Sequence, residues 1–193
     1  MKDLSPDPKL NAILDAAWHA FATYGFRKTS MDDIARGAAM SRPALYLHYP
    51  NKEAIFRSLV QFYYDTASEG VEAALQSSGM PGDVLAAAFE AQTGEVVEMM
   101  LNSPHGHELL DTGAAAASDI KEAGETRLRG LYADWLVREA AAGHIRLFAP
   151  ASDVAATISS ALKGLKDSGM DYTTLSARLA VLAQILGAGL RTA

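Results

Sequence analysis

The chain has 193 residues, of which 49% are hydrophobic and 21% are charged, and it carries a net charge of -6 at pH 7. This length accommodates one large domain or two small ones, and the composition is ordinary for a folded soluble protein. The absence of cysteine excludes disulfides and thiolate metal sites. The polar N-terminus does not fit a signal peptide, and the apolar stretch from Leu179 to Leu190 is too short to span a bilayer. We therefore expect a cytoplasmic protein that does not bind a membrane.

The charge is unevenly distributed along the chain. Residues 1–57 contain eight Lys and Arg residues against six Asp and Glu, whereas the remainder contains nine against seventeen. A basic region attached to an acidic body favours contact with a polyanion through the basic region, despite the negative total.

The first predicted helix begins at Pro8, ends near Tyr24 and is closed by Gly25 as a C-cap. Its apolar residues recur with the 3.6-residue period of an amphipathic helix: Leu10, Ile13, Leu14, Ala17, Trp18 and Phe21. We expect Trp18 and Phe21 to pack on Ile34 and Leu45. The following Arg27 and Lys28 are either solvated charges or neighbours of a phosphate backbone.

Residues 29–49 predict two short helices joined by a tight corner. Thr29 or Ser30 is a suitable N-cap for the first helix, and Asp33 lies where a capping box places its carboxylate. Residues 37–40 form the corner. Ser41 is the next N-cap, and Pro43 lies in the first turn, where its missing N–H costs least.

The second of these helices is too short to be stable alone. It nevertheless carries side chains suited to contacts outside the molecule, namely Ser41, Arg42, Ala44, Tyr46, Leu47 and His48. Such a corner places its second helix in the major groove of DNA. The pattern therefore predicts a helix-turn-helix.

Residues 8–58 resemble the DNA-binding segment of TetR-type (tetracycline-repressor-like) regulators. The matching positions are Ile13, Ala16, Ala17, Phe21, Gly25, Phe26, Thr29, Ser30, Asp33, Ile34, Ala35, Ala38, Ser41, Leu45, Tyr46, His48, Tyr49, Lys52 and Glu53. The chain departs from the family pattern at Pro43, where Gly is frequent, at Tyr49, where Phe is usual, and at Ala39, where Gly is usual. Ala39 fits the corner at little cost if its φ stays negative.

The predicted DNA interface consists of Thr29, Ser30, Ser41, Arg42, Pro43, Ala44, Tyr46, Leu47, His48 and Lys52. Hydroxyl, imidazole and ammonium groups in this set are suited to phosphate oxygens, as similar positions in the family are. Arg42 is the candidate for a guanine edge because its planar fork donates two hydrogen bonds at once. Ala44 and Leu47 are candidates for a thymine methyl group.

The rest of the chain predicts helices throughout, since no stretch alternates with the period of a strand. Asn51 caps a helix that ends near Ser77, and further helices cover residues 83–101, 107–113, 118–143, 152–168 and 172–190, with Ser152 as one N-cap. We predict an all-α fold of about nine helices. Residues 1–50 form a three-helix DNA-binding domain, and residues 51–193 form a larger helical domain for effector binding and dimerisation.

The last two helices carry one apolar face each, formed by Val154, Ile158, Leu162 and Leu165 and by Leu175, Leu179, Leu182 and Leu186. Two interpretations are open: an intrachain core, or a four-helix interface between two copies. The resemblance to TetR-type regulators favours the homodimer, and a two-fold partner suits a palindromic operator on double-stranded DNA.

The larger domain is also rich in bulky, adaptable apolar side chains: Phe62, Phe89, Met99, Met100, Leu131, Tyr132 and Trp135. They form either plain core or a largely apolar cavity. The resemblance implies a cavity for a small-molecule effector.

A catalytic or metal site is not predicted. His105 and His107 are close to Glu108 and Asp111, but the two histidines do not have the i, i+4 spacing that places two metal ligands on one face of a helix. No nucleophile motif, phosphate loop or cofactor motif is present. We predict a DNA-binding transcriptional regulator, a repressor that a small apolar effector releases from its operator. A helical enzyme with a pocket and a helical protein-interaction adaptor are the alternatives.

Overall fold

The computed structural model of the chain describes residues 7–106, 109 and 116–191, without the side chain of residue 95. These residues form eight helices: α1 (Pro8–Tyr24), α2 (Met31–Gly37), α3 (Arg42–Tyr46), α4 (Lys52–Leu75), α5 (Pro81–Leu101), α6 (Ser118–Ala141), α7 (Ala151–Lys166) and α8 (Tyr172–Leu190). Their β-structure is limited to an isolated antiparallel bridge between Ile145 and Arg191. The predicted all-α class is confirmed. The short helix predicted at 107–113 lies largely outside the described residues.

The helices belong to two compact units. The first unit contains Met1–Tyr64 and Glu95–Glu122, and the second contains Asp65–Gly94 and Ala123–Ala193. This division concerns compactness and differs from the predicted functional boundary after residue 50, which stays a prediction.

The core of the first unit joins α1, α2, α3 and the start of α4. Phe21 is fully buried, and its ring centroid lies 5.2 Å from that of Phe26 and 5.8 Å from that of Phe56. Ile34 and Leu45 are also fully buried in this cluster. The predicted packing of the first helix on the corner is confirmed. The two short helices, α2 and α3, are therefore held by the apolar core that they share with α1 and not by their own stability.

The predicted ends of the N-terminal helices are confirmed. Gly25 ends α1 with a φ of 79°, a conformation that favours glycine. Ser30 caps α2 in a complete capping box: its side chain accepts from the backbone N–H of Asp33, and the Asp33 carboxylate accepts from the backbone N–H of Ser30. The hydrogen bond from the Ser30 hydroxyl is the main cause that lowers the pKa of Asp33 below its ordinary value. Ser41 caps α3, as predicted.

The condition stated for Ala39, a negative φ, is not met. Its φ is 54°, in the left-handed region, because the corner between α2 and α3 needs the conformation that glycine usually supplies.

Replacing Ala39 with glycine should therefore stabilise the protein by roughly 0.5–1 kcal/mol, since the relief of left-handed strain exceeds the extra entropy of glycine in the unfolded chain. Urea unfolding of the two proteins measures this difference. A destabilised Ala39→Gly variant would contradict it.

Two further details of the helices differ from the predictions. α5 is interrupted at Gly94, whose φ of 52° and ψ of -177° are not helical. The apolar pattern of residues 83–101 continues across this kink and so does not indicate it. α7 begins at Ala151 after Pro150, which makes no side-chain capping bond, so the predicted Ser152 cap is wrong.

The last two helices pack against each other within the second unit. Five of the eight residues predicted for a dimer interface are buried inside the chain: Val154, Ile158, Leu162, Leu175 and Leu179. A second copy cannot reach buried side chains, so the intrachain interpretation holds for these five. Leu165, Leu182 and Leu186 are half-buried. The exposed large apolar residues of α8 are instead Val181 (59% exposed) and Ile185 (63% exposed).

Among the described residues, α8 is long and apolar enough to cross a membrane by length and composition alone, and only 28% of it is buried. The same properties characterise a soluble helix whose outer face packs against another protein, so they do not separate the two cases.

An ion pair joins α4 to the start of α6 within the first unit. Arg57 donates hydrogen bonds of 2.7 Å to each carboxylate oxygen of Asp119 and one of 2.9 Å to the carbonyl oxygen of Ala116. The hydrogen bonding from Arg57 is the main cause that lowers the pKa of Asp119 from 3.8 to about 2.

Because the folded-state pKa of Asp119 lies below its unfolded value, this pair stabilises the protein above pH 3.8, and the stabilisation is lost as the pH falls to about 2. Asp119→Asn should therefore destabilise the protein most at neutral pH, with a difference from wild type that shrinks below about pH 4. Urea unfolding across this pH range tests it. Asp134→Asn, at an exposed position on the same helix, is the control. A difference that is constant with pH would contradict the prediction.

Candidate nucleic-acid interface

The site is built on α3, which consists of five residues. Leu45 points into the core, is fully buried and holds α3 against the first unit. The Ser41 hydroxyl accepts a hydrogen bond of 3.3 Å from the backbone N–H of Ala44, and proline occupies the first turn. The cap, the proline and the anchor fix the orientation of α3, and hence which side chains face outward.

Four of the six side chains that the sequence predicts to face outward are exposed, and their contact with DNA stays a prediction. Ser41, Arg42 and Pro43 are exposed, Tyr46 is 42% exposed and Leu47 is 87% exposed. Ala44 and His48 are half-buried. Leu47 is the most exposed of the large apolar side chains in the part of the chain that the structure describes, so it is available for contact with a partner.

Arg42 lies at the centre of a small group of side chains. Its Nε lies 3.2 Å from one carboxylate oxygen of Asp32, and its Nη1 donates a hydrogen bond of 3.3 Å to the other. Its Nη2 lies 3.5 Å from the hydroxyl of Tyr46, and its guanidinium carbon is 5.6 Å from the centre of the Tyr46 ring. The hydrogen bond to Tyr46, followed by the charge of Asp32, raises the pKa of Arg42 above its ordinary value. Arg42 is thus exposed and oriented.

Thr29 does not belong to this surface. It is 2% exposed, and its hydroxyl lies 2.8 Å from the carbonyl oxygen of Gly25 and 3.1 Å from that of Ala20. A buried hydroxyl that bonds the end of α1 cannot reach a phosphate. The predicted phosphate contact of Thr29 is therefore corrected to a structural role in the loop after α1. Ser30 is exposed, but its hydroxyl is engaged with Asp33 in the capping box.

Lys52 also differs from the prediction. Its ammonium donates to the carbonyl oxygens of Phe26, Thr29 and Arg27 at 2.7, 2.8 and 3.1 Å, and it lies 4.7 Å from the centre of the Phe26 ring. An ammonium has three N–H donors, and these three carbonyls use all of them. Lys52 therefore fastens the α1–α2 loop to the first turn of α4 and has no donor left for a phosphate. Arg27 and Lys28, in the same loop, have exposed side chains.

The residues predicted for an effector pocket are divided between the two units. Met99 and Met100 pack against the core of the first unit, and the half-buried Phe62 lies in the same unit. In the second unit Phe89, Tyr132 and Trp135 are buried and Leu131 is half-buried. The predicted set therefore does not lie together in one unit, and the pocket stays a prediction.

The second unit has a polar group in its interior. The hydroxyl of Tyr132, which is fully buried, donates a hydrogen bond of 2.8 Å to the side-chain oxygen of Gln92. The rings of Phe89 and Tyr132 meet edge to face at 6.0 Å. Ser68, also fully buried, has a hydroxyl without a hydrogen-bond partner.

In the part of the chain that the structure describes, no group of three or more His, Cys, Asp or Glu side chains is placed to hold a metal ion. His107, Glu108 and Asp111, which the sequence places near His105, lie outside the described residues.

Comparison with known proteins identifies the family. Residues 13–59 match the family described as "Bacterial regulatory proteins, tetR family". This segment contains α2, the corner and α3. This N-terminal segment belongs to the TetR family.

Two curated relatives of this chain come from Mycolicibacterium smegmatis. The HTH-type transcriptional regulator EthR is 32% identical over 139 residues, which are 71% of this chain and 60% of EthR. The HTH-type transcriptional activator FasR is 33% identical over 88 residues, which are 46% of this chain and 40% of FasR. Both names describe regulators, which agrees with the prediction of a non-enzymatic protein. The matched residues span less than two thirds of the length of either relative.

Solved structures agree on the fold. The SmeT–triclosan complex has a TM-score of 0.73 and 20% identity, with 96% of this chain and 93% of that chain covered. At this identity the similarity shows the fold alone.

Proposed function

We propose that the protein is a sequence-specific DNA-binding transcriptional regulator whose α3 lies in the major groove. The observation that carries this proposal is the outward face of α3, where an oriented Arg42 and an 87% exposed Leu47 project from a helix that Leu45 anchors. Arginine is suited to the O6 and N7 acceptors of guanine, and an apolar side chain is suited to the thymine methyl. The TetR-family match over residues 13–59 supports it independently.

The protein acts in this proposal as a homodimer on a palindromic operator. A symmetric pair presents two copies of α3 to two half-sites about one helical turn apart. The exposed Val181 and Ile185 of α8, with the half-buried Leu182 and Leu186, form an apolar strip at helical spacing. Contact of this strip with its copy would remove large apolar side chains from water. This strip replaces the buried residues that the sequence predicted for the interface.

We further propose that a small apolar effector releases the DNA. The buried Phe89, Tyr132 and Trp135 supply an apolar lining, and the Tyr132–Gln92 hydrogen bond supplies a polar group that could orient a ligand. The structural neighbour SmeT is solved with triclosan, a small and largely apolar compound. α4 contains residues of both units, so it provides a continuous helix through which a ligand could act. A coupling of about 1–3 kcal/mol would change DNA affinity about 5- to 150-fold.

The direction of regulation is proposed to be repression, in which the bound dimer obstructs polymerase at a promoter. Transcription in vitro from a promoter that contains the operator distinguishes the two directions, and an increase on addition of the protein would show activation, as the name of FasR states for that relative.

Arg42→Ala tests the proposal at α3. We expect it to weaken binding to the cognate operator by about 1–3 kcal/mol and to relax preference at the base pair that Arg42 contacts. Fluorescence anisotropy with the operator and with a scrambled duplex of equal length measures both effects. Arg36→Ala, which removes an exposed arginine of α2 that pairs with Asp33, is the charge-matched control. Equal losses on operator and scrambled DNA would argue against a base contact by Arg42.

A further inference from the structure

The partner of Arg42 is unexpected for a surface that meets DNA. Asp32 is exposed, and its carboxylate lies 3.2 and 3.3 Å from the guanidinium that the proposed function assigns to a base. A carboxylate beside a phosphate backbone is repelled, so it lowers the affinity for DNA of any sequence. An acid at this position therefore needs a reason other than affinity.

Helix stability supplies only part of that reason, because a carboxylate in the first turn of α2 favours the helix N-terminus without any contact with Arg42. The capping box of α2 uses Asp33, which bonds Ser30 and lies 3.5 Å from Arg36. The Asp32 side chain takes no part in the box, and within the described residues its contacts are those with Arg42. The two carboxylates thus have separate tasks: Asp33 completes the N-terminus of α2, and Asp32 faces the side chain of α3 ten residues away.

The ion pair between Arg42 and Asp32 is weak enough to favour one orientation of Arg42 without preventing others. The side chains of Arg42 and Asp32 are 59% and 51% exposed, and exposed ion pairs of this kind contribute about 0–1 kcal/mol. Tyr46 approaches the guanidinium from another edge, so Asp32 and Tyr46 together restrict the rotamer of Arg42. A base that offers two acceptors can compete with Asp32, whereas a base with a poor hydrogen-bonding pattern cannot.

We propose that Asp32 is a specificity-determining residue of the DNA interface, which acts by holding Arg42 away from non-cognate bases and phosphates. On non-cognate DNA, Arg42 stays paired, and the site presents no free arginine there. On the cognate operator, the guanine acceptors outweigh the carboxylate. Asp32 thus lowers the affinity for all DNA, and it lowers the affinity for non-cognate sequences most. Specificity then arises because Asp32 disfavours binding to non-cognate DNA. This inference rests on the proposed function.

The test compares Asp32→Asn with Glu53→Gln. Both substitutions remove one negative charge from the first turn of a helix in the first unit, but Glu53 is exposed and has no ion pair to Arg42. Binding is measured to an operator selected from random duplexes and to a scrambled duplex. We expect Asp32→Asn to strengthen binding to scrambled DNA and to lower the ratio of operator to scrambled affinity by about fivefold, part of the discrimination that one arginine–guanine pair supplies. Glu53→Gln should leave this ratio unchanged.

A double-mutant cycle completes the test. In an Arg42→Ala background, Asp32→Asn should change the affinities for both duplexes by the same factor, since there is no longer an arginine to hold. Asp32→Ser serves as a second charge-removing variant, because serine is accepted at a helix start. Circular dichroism checks that each variant is folded.

The outcomes separate the two proposals. If the wild-type protein shows no preference for any duplex, the proposed function fails. If wild type discriminates and Asp32→Asn keeps the same ratio, or shifts it as Glu53→Gln does, the role of Asp32 is overturned while DNA binding stands.

Discussion

Lys52→Met is expected to lower the free energy of unfolding by about 2–3 kcal/mol, because three partly enclosed carbonyls lose a charged donor and Phe26 loses its cation. Methionine keeps the length of the four-atom stem below the ammonium, so the loss reports the ammonium and not the packing of the stem. Since Lys52 fastens the α1–α2 loop, the variant should also bind DNA more weakly. Urea unfolding measures the stability, and anisotropy at several salt concentrations measures the binding.

The salt dependence distinguishes a loop fastener from a phosphate contact. A lysine that neutralises a phosphate changes the slope of log K against log salt by about 0.9. Lys52→Met should leave that slope unchanged, because its donors are used within the protein. Lys28→Met, at an exposed position of the same loop, is the control and should leave stability unchanged. An unchanged stability together with a reduced slope in Lys52→Met would restore the phosphate contact that the sequence predicted.

Gly187→Ala is expected to cost about 3 kcal/mol, at the upper end of the usual cost of overpacking. A Cβ atom at residue 187 would lie 2.3 Å from the backbone nitrogen of Gly82 and 2.4 Å from its Cα. Both are backbone atoms, so α8 and the start of α5 must move apart within the second unit. This movement would also strain the hydrogen bond of 3.1 Å between Gln184 and Asp83.

Gly189→Ala is the matched control, two residues further along α8. A Cβ atom at residue 189 meets nothing within 4 Å, so alanine should be neutral or stabilising by up to about 1 kcal/mol through its helix propensity. Equal stabilities for the two variants would show that α5 and α8 are not in close contact at Gly82 and Gly187.

The sequence predicted the DNA-binding segment well because its signals are local. The roles of Gly25, Ser30 and Ser41 depend on residues within four positions of each. The apolar period of α1 likewise identifies the face that meets Leu45. Such signals are contained in a short window, so no knowledge of distant contacts is needed.

The contacts that the sequence does not reveal join residues that are distant in sequence. Lys52 meets carbonyls 23 to 26 residues earlier, and Arg42 meets an acid ten residues earlier across the corner. Composition suggested that both cations were available for phosphate or base. In the structure, carbonyl groups of the α1–α2 loop bind Lys52 and the carboxylate of Asp32 binds Arg42. The residue pattern of a single helix does not reveal such contacts.

The apolar residues of α7 and α8 illustrate a second limit. A helical period identifies an apolar face but not the surface that covers it, so it does not reveal that Leu175 and Leu179 lie in the intrachain core. Val181 and Ile185 interrupt the expected pattern, and only their exposure shows them as candidates for an interface. Met99 and Met100 were grouped with Tyr132 by composition, and the packing assigns them to a different unit.

Selection of bound duplexes from a random DNA pool by the full chain tests the central claim, that the outward face of α3 contacts bases. We expect a palindromic consensus with half-sites about one helical turn apart and a guanine whose enrichment disappears when the selection is repeated with Arg42→Ala. Recovery of a pool without a consensus, or of one that Arg42→Ala selects unchanged, would contradict it.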